Sequence, residues 1–298
     1  MNHERLLNDG QWCEGEAGQA SLNDRYRGTL AAVIEQASTR QVDAAVEAAL
    51  KAFRGTPIPA YQRYAILDRA ARLMDERREQ ILHDLITETG YAVGDARSEL
   101  DRCVLTLQQC AEEAKRIHGE CVPMEGAPGH EHRIGFTVRV PRGVVCAITP
   151  FNAPLNTVAH KIAPALAAGN AVVLKPAEQT PMCANHLARL LCDAGLPAGY
   201  LNVVHGPGEM VGKRLQENQA VDFYAFTGST AVGERIRARI GLRHTLLELG
   251  NISSTIVCQD ASLEVALPRL SPVPFARQAR YAPRYRSFSS SVASTPRW

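Results

Sequence analysis

Between residues 143 and 249, short apolar runs alternate with longer segments of helical spacing, and this rhythm constrains the fold more than any other feature. The apolar runs span residues 143–149, 170–175, 201–205, 221–227 and 245–249. Helical spacing fills the intervals at residues 153–168, 181–194, 209–216 and 231–238. Because nearly continuous apolar strands joined by helices are covered on both faces, the pattern predicts an α/β fold with an open, parallel, Rossmann-type sheet and helices on both faces.

The first third of the chain has apolar residues at steps of three and four, which predicts three amphipathic helices. The first begins near Val42, the second spans residues 61–88, and the third spans residues 94–118. Residues 133–140 then alternate apolar and polar side chains, which is typical of an exposed strand.

The composition is that of a globular protein, with 45% hydrophobic and 21% charged residues among 298. The longest apolar runs fall far short of the roughly 20 residues of a membrane-spanning helix. The first ten residues lack the apolar core of a secretory signal, so we expect a cytoplasmic location and no membrane partner. A net charge of +2 gives no reason to expect nucleic acid. Eight cysteines include no Cys-x-x-Cys pair, so we expect no metal site and mostly buried, reduced thiols.

The end of the chain has a different composition. From Pro268 to Trp298 there are six Arg, five Pro and six Ser, but no Lys, Asp, Glu, Ile or Gly. Helical and strand periodicity both stop after Ala266. We therefore expect residues 268–298 to be an out-of-frame or disordered tail.

Each predicted strand ends in small or polar residues, and parallel strands bring such ends to one edge of the sheet. Four junctions carry them: Thr149 to Asn152, Lys175 to Glu178, His205 to Gly208, and Phe226 to Thr230. A glycine-rich turn that opens a helix lets backbone N–H groups approach a phosphate. Each junction alone is weak, since Gly206-x-Gly208 lacks the full G-x-G-x-x-G spacing. Four in succession predict a dinucleotide-binding domain over residues 1–250.

Four segments, in this order and spacing, resemble the NAD(P)-dependent aldehyde dehydrogenase superfamily. They are Gly143-Val-Val-Cys-Ala-Ile-Thr-Pro-Phe-Asn-Ala-Pro-Leu155, Gly169-Asn-Ala-Val-Val-Leu-Lys-Pro-Ala-Glu-Gln-Thr-Pro181, Ala225-Phe-Thr-Gly-Ser-Thr230 and Leu247-Glu-Leu-Gly250. The resemblance covers about residues 5–267. It implies an aldehyde-dehydrogenase-like fold whose catalytic domain starts at 251–267 and is truncated. It also implies an oxidoreductase that converts an aldehyde into a carboxylic acid with NAD(P) through a cysteine thiohemiacetal and thioester.

The resemblance implies catalytic roles for two residues. Asn152 matches the side-chain amide that donates a hydrogen bond to the oxyanion, and a loop-capping asparagine is the alternative. Glu248 matches the general base that activates water to hydrolyse the thioester. This chain has Gly250-Asn251 where the family usually has two glycines. That departure concerns the local turn more than the carboxylate.

The resemblance also implies a cofactor site. Lys175 and Glu178 match the pair that holds the adenosine ribose, with a surface salt bridge as the alternative. Because a carboxylate repels a 2′-phosphate, Glu178 favours NAD, with NADP as the alternative cofactor. The other implied contacts come from Gly208, from Gly228 and Ser229 at the pyrophosphate, and from Thr149, Pro150, Phe151 and Leu249 on the nicotinamide side. The implied partner is a small aldehyde. The intact family is homo-oligomeric, and the domain includes an interaction strand near 133–140, but the sequence leaves the oligomeric state of this chain open.

The family's cysteine nucleophile is absent from its expected place near Ala282. The last cysteine, Cys258, follows an apolar run and is interpreted as a core residue. One set of codons for residues 278–285, read one base earlier, encodes Ala-Gly-Gln-Val-Cys-Thr-Ser-Val, which is the family's nucleophile motif. We therefore interpret the tail as the product of a shifted reading frame and expect this chain to be inactive, since no other residue readily replaces the thiol.

Two alternatives remain open. A non-catalytic NAD-binding or subunit-interaction protein would use the same domain without chemistry. A reductase that acts on acyl phosphates or acyl-CoA would share the fold, but Glu248 disfavours it because this residue implies release of the product by water.

Overall fold

The computed structural model describes residues 2–250, 256, 258, 260–262 and 264–266. The chain divides into two compact units, Met1–Glu248 and Leu249–Trp298. The predicted tail and the position of Ala282 lie outside the described residues. Within the second unit, the described backbone includes a short helical segment at 264–266.

The first unit is built around a seven-stranded sheet. The strands of the described chain are β1 (Asn2–Glu4), β2 (Leu6–Asn8), β3 (Gln11–Cys13), β4 (Gln19–Asn23), β5 (Leu30–Glu35), β6 (Cys121–Val122), β7 (Gly135–Phe136), β8 (Val144–Ile148), β9 (Ala171–Lys175), β10 (Leu201–Val203), β11 (Phe223–Thr227) and β12 (His244–Glu248). The order in the large sheet is β12-β11-β8-β9-β10-β2-β3. Strands β8 to β12 are parallel, which confirms the prediction for the central sheet.

The amino-terminal strands were not predicted. β2 joins the large sheet antiparallel to β10, with Leu7 opposite Val203, and β3 pairs with β2. A separate small sheet has the order β1-β5-β4. Most of these strands are only three residues long, too short to show a period of two, so their pairing depends on the sheet that receives them.

Eight helices are described. They are α1 (Thr39–Arg54), α2 (Ala60–Glu76), α3 (Arg78–Thr89), α4 (Val93–Ala114), α5 (Asn156–Ala167), α6 (Pro181–Asp193), α7 (Lys213–Glu217) and α8 (Thr230–Ile240). A π-helical turn, Gly208–Gly212, precedes α7. None of these described helices is both long enough and apolar enough to cross a membrane.

Two sequence predictions need correction. The helix predicted over 61–88 is two helices, because the backbone leaves the helical conformation at Arg77 (φ −101°, ψ 18°). The strand predicted over 133–140 is reduced to Gly135–Phe136, which pairs with Cys121–Val122. An alternating pattern predicts a strand but not the strand that pairs with it. Here the pairing strand, Cys121–Val122, is only two residues long.

Right-handed crossovers place the helices on both faces of the sheet. α5 and α6 connect β8, β9 and β10 in one direction across the sheet. α7 and α8 lead from β10 to β11 and β12 in the opposite direction, so they cover the other face together with α1. The strand order reverses between β8 and β11, and such a reversal opens a crevice at the carboxyl ends of the strands. The sequence motifs lie at this edge.

Candidate active site

The carboxyl ends of β8 and β9 are joined by the backbone. The amide of Thr149 donates to the carbonyl oxygen of Lys175 over 3.2 Å, which continues the register of Ile148 with Lys175. Thr149 is buried, and its hydroxyl has no hydrogen-bond partner among the described residues. Since an unpaired buried hydroxyl is costly, this one marks a place for a ligand or water group.

Lys175 and Glu178 bring opposite charges to the end of β9. The Lys175 ammonium is buried, lying 3.3 Å from the Pro176 carbonyl oxygen and 3.9 Å from the Glu178 carboxylate. Burial lowers the pKa of Lys175, and the charge of Glu178 opposes that effect. Glu178 is exposed and accepts a hydrogen bond of 2.9 Å from the amide of Gly208. The pair therefore joins a buried cation to an exposed carboxylate.

A small pocket opens beside Lys175, between the π-helical turn and α8. Its volume is about 110 Å³. Ile148, Val232 and Ile236 give it apolar walls, while Lys175 and Arg239 add positive charge. Glu209 and Arg235 also line the pocket, and such apolar walls with a few charged groups suit the adenosine part of a nucleotide, whose base has apolar faces.

The junction of β11 with α8 forms a second part of this edge. Ser229 is the N-cap of α8, and its hydroxyl accepts a hydrogen bond of 3.4 Å from the amide of Val232. The amide of Gly228 donates to the Glu248 carbonyl oxygen over 3.0 Å. A Cβ atom at residue 228 would lie 2.4 Å from the Phe226 ring, so the turn has no room for a side chain.

Glu248 ends β12, where it lies opposite Thr227 on β11, and it is exposed. His160 and Lys161 of α5 lie close enough to Glu248 for its charge to affect their pKa values. Burial lowers the pKa of both residues, and the Glu248 carboxylate raises both. Lys161 is itself buried. The predicted general base therefore has a buried cation in its vicinity, a feature that the sequence motifs did not reveal.

The segment between β8 and α5 carries Asn152. Its carbonyl oxygen accepts a hydrogen bond from the Tyr91 hydroxyl. Its side-chain Oδ1 is buried and accepts no hydrogen bond from the described residues. The side-chain oxygen therefore caps no loop amide, and the loop-capping alternative finds no support here.

The remaining residues follow the carboxyl ends of β8, β10 and β12. Phe151 is exposed, Pro150 is half-buried, and Leu249, directly after β12, is half-buried. His205, at the end of β10, is buried, and burial together with the charge of Lys175 lowers its pKa to about 3. Its imidazole is therefore neutral near pH 7 and brings no positive charge to the edge.

Comparisons with known proteins identify this arrangement. Residues 12–278 match the aldehyde dehydrogenase family. A 3-sulfolactaldehyde dehydrogenase of Priestia aryabhattai is 51% identical over 270 residues, which are 91% of this chain and 56% of that protein. The chain belongs to the aldehyde dehydrogenase family.

Solved aldehyde dehydrogenases share the fold. An NAD-dependent benzaldehyde dehydrogenase from Corynebacterium glutamicum matches with a TM-score of 0.84 and 36% identity, over 91% of this chain and 58% of that one. An NADP-dependent glyceraldehyde-3-phosphate dehydrogenase from Bacillus halodurans, complexed with NADP, matches with a TM-score of 0.87 and 33% identity, over 92% and 58%. The predicted aldehyde-dehydrogenase-like fold is confirmed. The chain spans little more than half the length of these relatives.

The prediction for the cysteines is wrong in part. Cys258 is exposed, and only Cys103, Cys146 and Cys183 are buried among the eight thiols. An apolar run predicts burial only where a second layer covers it, and sequence alone does not show which layer that is.

Three residues near the candidate site escaped the sequence motifs: Lys161, Tyr91 and Glu99. Lys161 lies in an apolar helical segment, where a lone cation is a signal of a buried role. Tyr91 and Glu99 lie far from the motifs in the sequence, and only packing brings Tyr91 to Asn152 and Glu99 to the start of α5.

Proposed function

We propose that this aldehyde dehydrogenase chain binds NAD in the pocket beside Lys175. The observation that carries the proposal is the buried Lys175 ammonium, which lies 3.9 Å from the Glu178 carboxylate and lines a pocket with apolar walls. The unpaired Thr149 hydroxyl supports it, since a bound group would satisfy that atom.

In this proposal, each predicted residue holds a stated part of the cofactor. Lys175 and Glu178 hold the adenosine ribose beside Gly208, and the turn at Gly228 and the hydroxyl of Ser229 receive the pyrophosphate. The nicotinamide side is lined by Thr149, Pro150, Phe151 and Leu249. When bound, NAD supplies the acceptor of a hydride. Glu178 disfavours NADP, because its carboxylate would face the 2′-phosphate.

The catalytic roles are also proposals. The Asn152 amide donates to the oxyanion that forms when the aldehyde carbonyl is attacked, and it needs no change of protonation to do so. The Glu248 carboxylate accepts a proton from the water that releases the acid. Both roles require a thiol nucleophile, which we propose is encoded one base out of frame near Ala282.

The reading-frame proposal has a direct test in the coding DNA around codons 266–285. We expect the frame one base over to stay open and to encode Gly-Gln-Val-Cys. Stop codons within a few triplets would refute it. The present chain should then form no NADH from NAD and a panel of aldehydes, and turnover that a thiol reagent abolishes would reveal another nucleophile.

We infer that the substrate of the in-frame enzyme is a short aldehyde that carries an anionic group. The support is the 51% identity with a 3-sulfolactaldehyde dehydrogenase. An enzyme restored to the shifted frame should therefore have a higher kcat/KM for 3-sulfolactaldehyde than for glyceraldehyde. Equal kcat/KM values for the two aldehydes would contradict a preference for an anionic substrate.

The cofactor proposal is tested by calorimetric titration of the full chain with NAD and NADP. Glu178→Gln keeps an oxygen acceptor for the Gly208 amide but removes the charge, so the ratio of Kd for NADP to Kd for NAD should fall about tenfold, or ~1.4 kcal/mol. Glu217→Ala, which removes an exposed carboxylate paired with Lys213 on α7, is the matched control. An unchanged ratio in Glu178→Gln would reduce Glu178 to a surface charge.

A subunit-interaction role is a second candidate, favoured by one observation. The side chains of Ile134, Phe136, Val138 and Val140 are 90%, 73%, 68% and 75% exposed. Four exposed apolar side chains on alternate residues form a surface suited to a second strand.

We propose that the segment over residues 134–140 pairs with the same segment of another copy of the chain. Sedimentation should show association of the wild type that Ile134→Lys with Val138→Lys abolishes. Leu242→Lys, at another highly exposed apolar residue, should leave association intact. A wild type that stays monomeric at all concentrations would refute this role.

A further inference from the structure

The direction of the Asn152 side chain is set by the backbone that carries it. Its Oδ1 is buried and accepts no hydrogen bond from the described residues, so that oxygen does not tie the amide to a neighbour. Residues 149–155 form an irregular segment between β8 and α5. Whatever holds this segment therefore aims the Asn152 amide.

The hydrogen bonds that hold the segment come from the helical region in front of it. The Tyr91 hydroxyl donates to the Asn152 carbonyl oxygen. The Glu99 carboxylate accepts from the amides of Leu155 and Asn156 at 2.9 and 3.2 Å. α5 has no side-chain cap of its own, so these contacts replace one. Of these two partners, Tyr91 is the one whose described hydrogen bond is to Asn152 itself.

The local structure around Tyr91 fixes the approach of its ring. α3 ends at Gly90 in the left-handed conformation (φ 69°), a turn that suits glycine and redirects the chain. The Tyr91 amide then donates to the Thr89 hydroxyl over 3.1 Å, and the Tyr91 residue is 4% exposed. Tyr91 is therefore buried and is hydrogen-bonded through both its amide and its hydroxyl, so it can hold the loop that its hydroxyl contacts.

We propose that Tyr91 is a positioning residue that holds the Asn152 segment, and with it the oxyanion donor and the nicotinamide side of the site. The catalytic and cofactor roles of the Asn152 segment in this inference rest on the proposed function. The physical claim concerns only the loop and the start of α5: loss of the Tyr91 hydroxyl loosens residues 152–157 while the rest of the fold stays intact.

The first test is hydrogen exchange of the full chain, comparing wild type with Tyr91→Phe. Amides of residues 152–157 should exchange about fivefold faster in the variant, the factor expected from one hydrogen bond. Amides of α1 and β9 should be unchanged. Tyr200→Phe is the matched control, since Tyr200 is also 4% exposed and its hydroxyl donates to a backbone carbonyl, that of Thr56, at 3.4 Å. Unchanged exchange at 152–157, or faster exchange throughout the fold, would overturn the proposal.

The second test separates positioning from general destabilisation by using two ligands. Tyr91→Phe should weaken NAD at least threefold but leave ADP-ribose, which lacks the nicotinamide, within error of wild type. Equal weakening of both ligands would indicate a structural role only and would overturn positioning. If the wild type binds neither ligand, the cofactor proposal fails, and the exchange measurement alone decides the role of Tyr91.

Discussion

Two pairs of helices in the described chain begin in different ways. α1 and α8 begin with Ser38 and Ser229, whose hydroxyls accept N–H groups of their own first turns. α5 and α6 have no such side-chain cap. Their first amides donate instead to the carboxylates of Glu99 and Glu88, which are fully buried residues of α4 and α3.

The difference shows which contacts hold the proposed site. A serine cap joins residues three positions apart, whereas the glutamates join residues 56 and 94 positions apart. α5 follows the Asn152 segment, and α6 follows the segment of Lys175 and Glu178. The buried glutamates therefore attach both segments to the helical region, and the site depends on that region even though its motifs lie elsewhere.

The largest effect is expected for Glu99→Ala. It leaves the amides of Leu155 and Asn156 buried without an acceptor, which costs about 3 kcal/mol of unfolding free energy. Urea unfolding measures the loss. Glu113→Ala, at an exposed carboxylate of the same helix paired with Arg116, should change stability by less than about 0.5 kcal/mol. Similar losses for the two variants would break the comparison.

An intermediate effect is expected in the pH dependence of stability through Glu88. Burial raises the pKa of Glu88 to about 8, against 4.5 for an unperturbed glutamate, although the Met182 and Cys183 amides oppose this. Between these values the folded chain holds a proton that the unfolded chain has lost, so stability falls as pH rises and levels off above 8.

Unfolding free energies of wild type and Glu88→Gln from pH 5 to 8.5 test this prediction. The unfolding free energy of the wild type should fall by up to about 1.4 kcal/mol per pH unit, and that of Glu88→Gln should lack this fall. Parallel curves for the two proteins would mean that Glu88 keeps its charge when folded, and the amides of α6 would then outweigh burial.

The smallest effects are expected at the local caps. Ser38→Ala should cost about 1 kcal/mol, because Ser38 and Gln41 form a reciprocal capping box at α1. Ser229→Ala should cost about half as much, since its contact with Val232 is 3.4 Å long and exposed. Thermal unfolding of both variants measures the order. A larger loss at Ser229 would indicate that the start of α8 carries more of the fold than its own turn suggests.

Much of the central sheet could be predicted because its pattern is local. Strands β8 to β12 are apolar runs of three to five residues, and each ends within two residues of its predicted carboxyl end. The break at Arg77 could not be predicted, because the apolar spacing continues on both sides of it. The pairing of β2 with β10 could not be predicted either, since three residues carry no readable period.

The residues of the candidate site also divide into those with a local sequence pattern and those placed by distant contacts. Its motif residues, such as Lys175 and Gly228, could be found because turn and strand chemistry is written in neighbouring positions. The contacts of Tyr91 and Glu99 could not be found, since nothing near either residue in the sequence indicates what it bonds.

The sequence by itself determined the alternation of strands β8 to β12 with their helices and the polar ends of those strands, because each depends on residues close together in the chain. Only the tertiary structure decided that Lys175 is buried, that Glu88 and Glu99 cap distant helices, and that Tyr91 bonds to Asn152. Burial and long-range hydrogen bonds arise when separate layers pack together, and a local sequence pattern does not record which layers will meet.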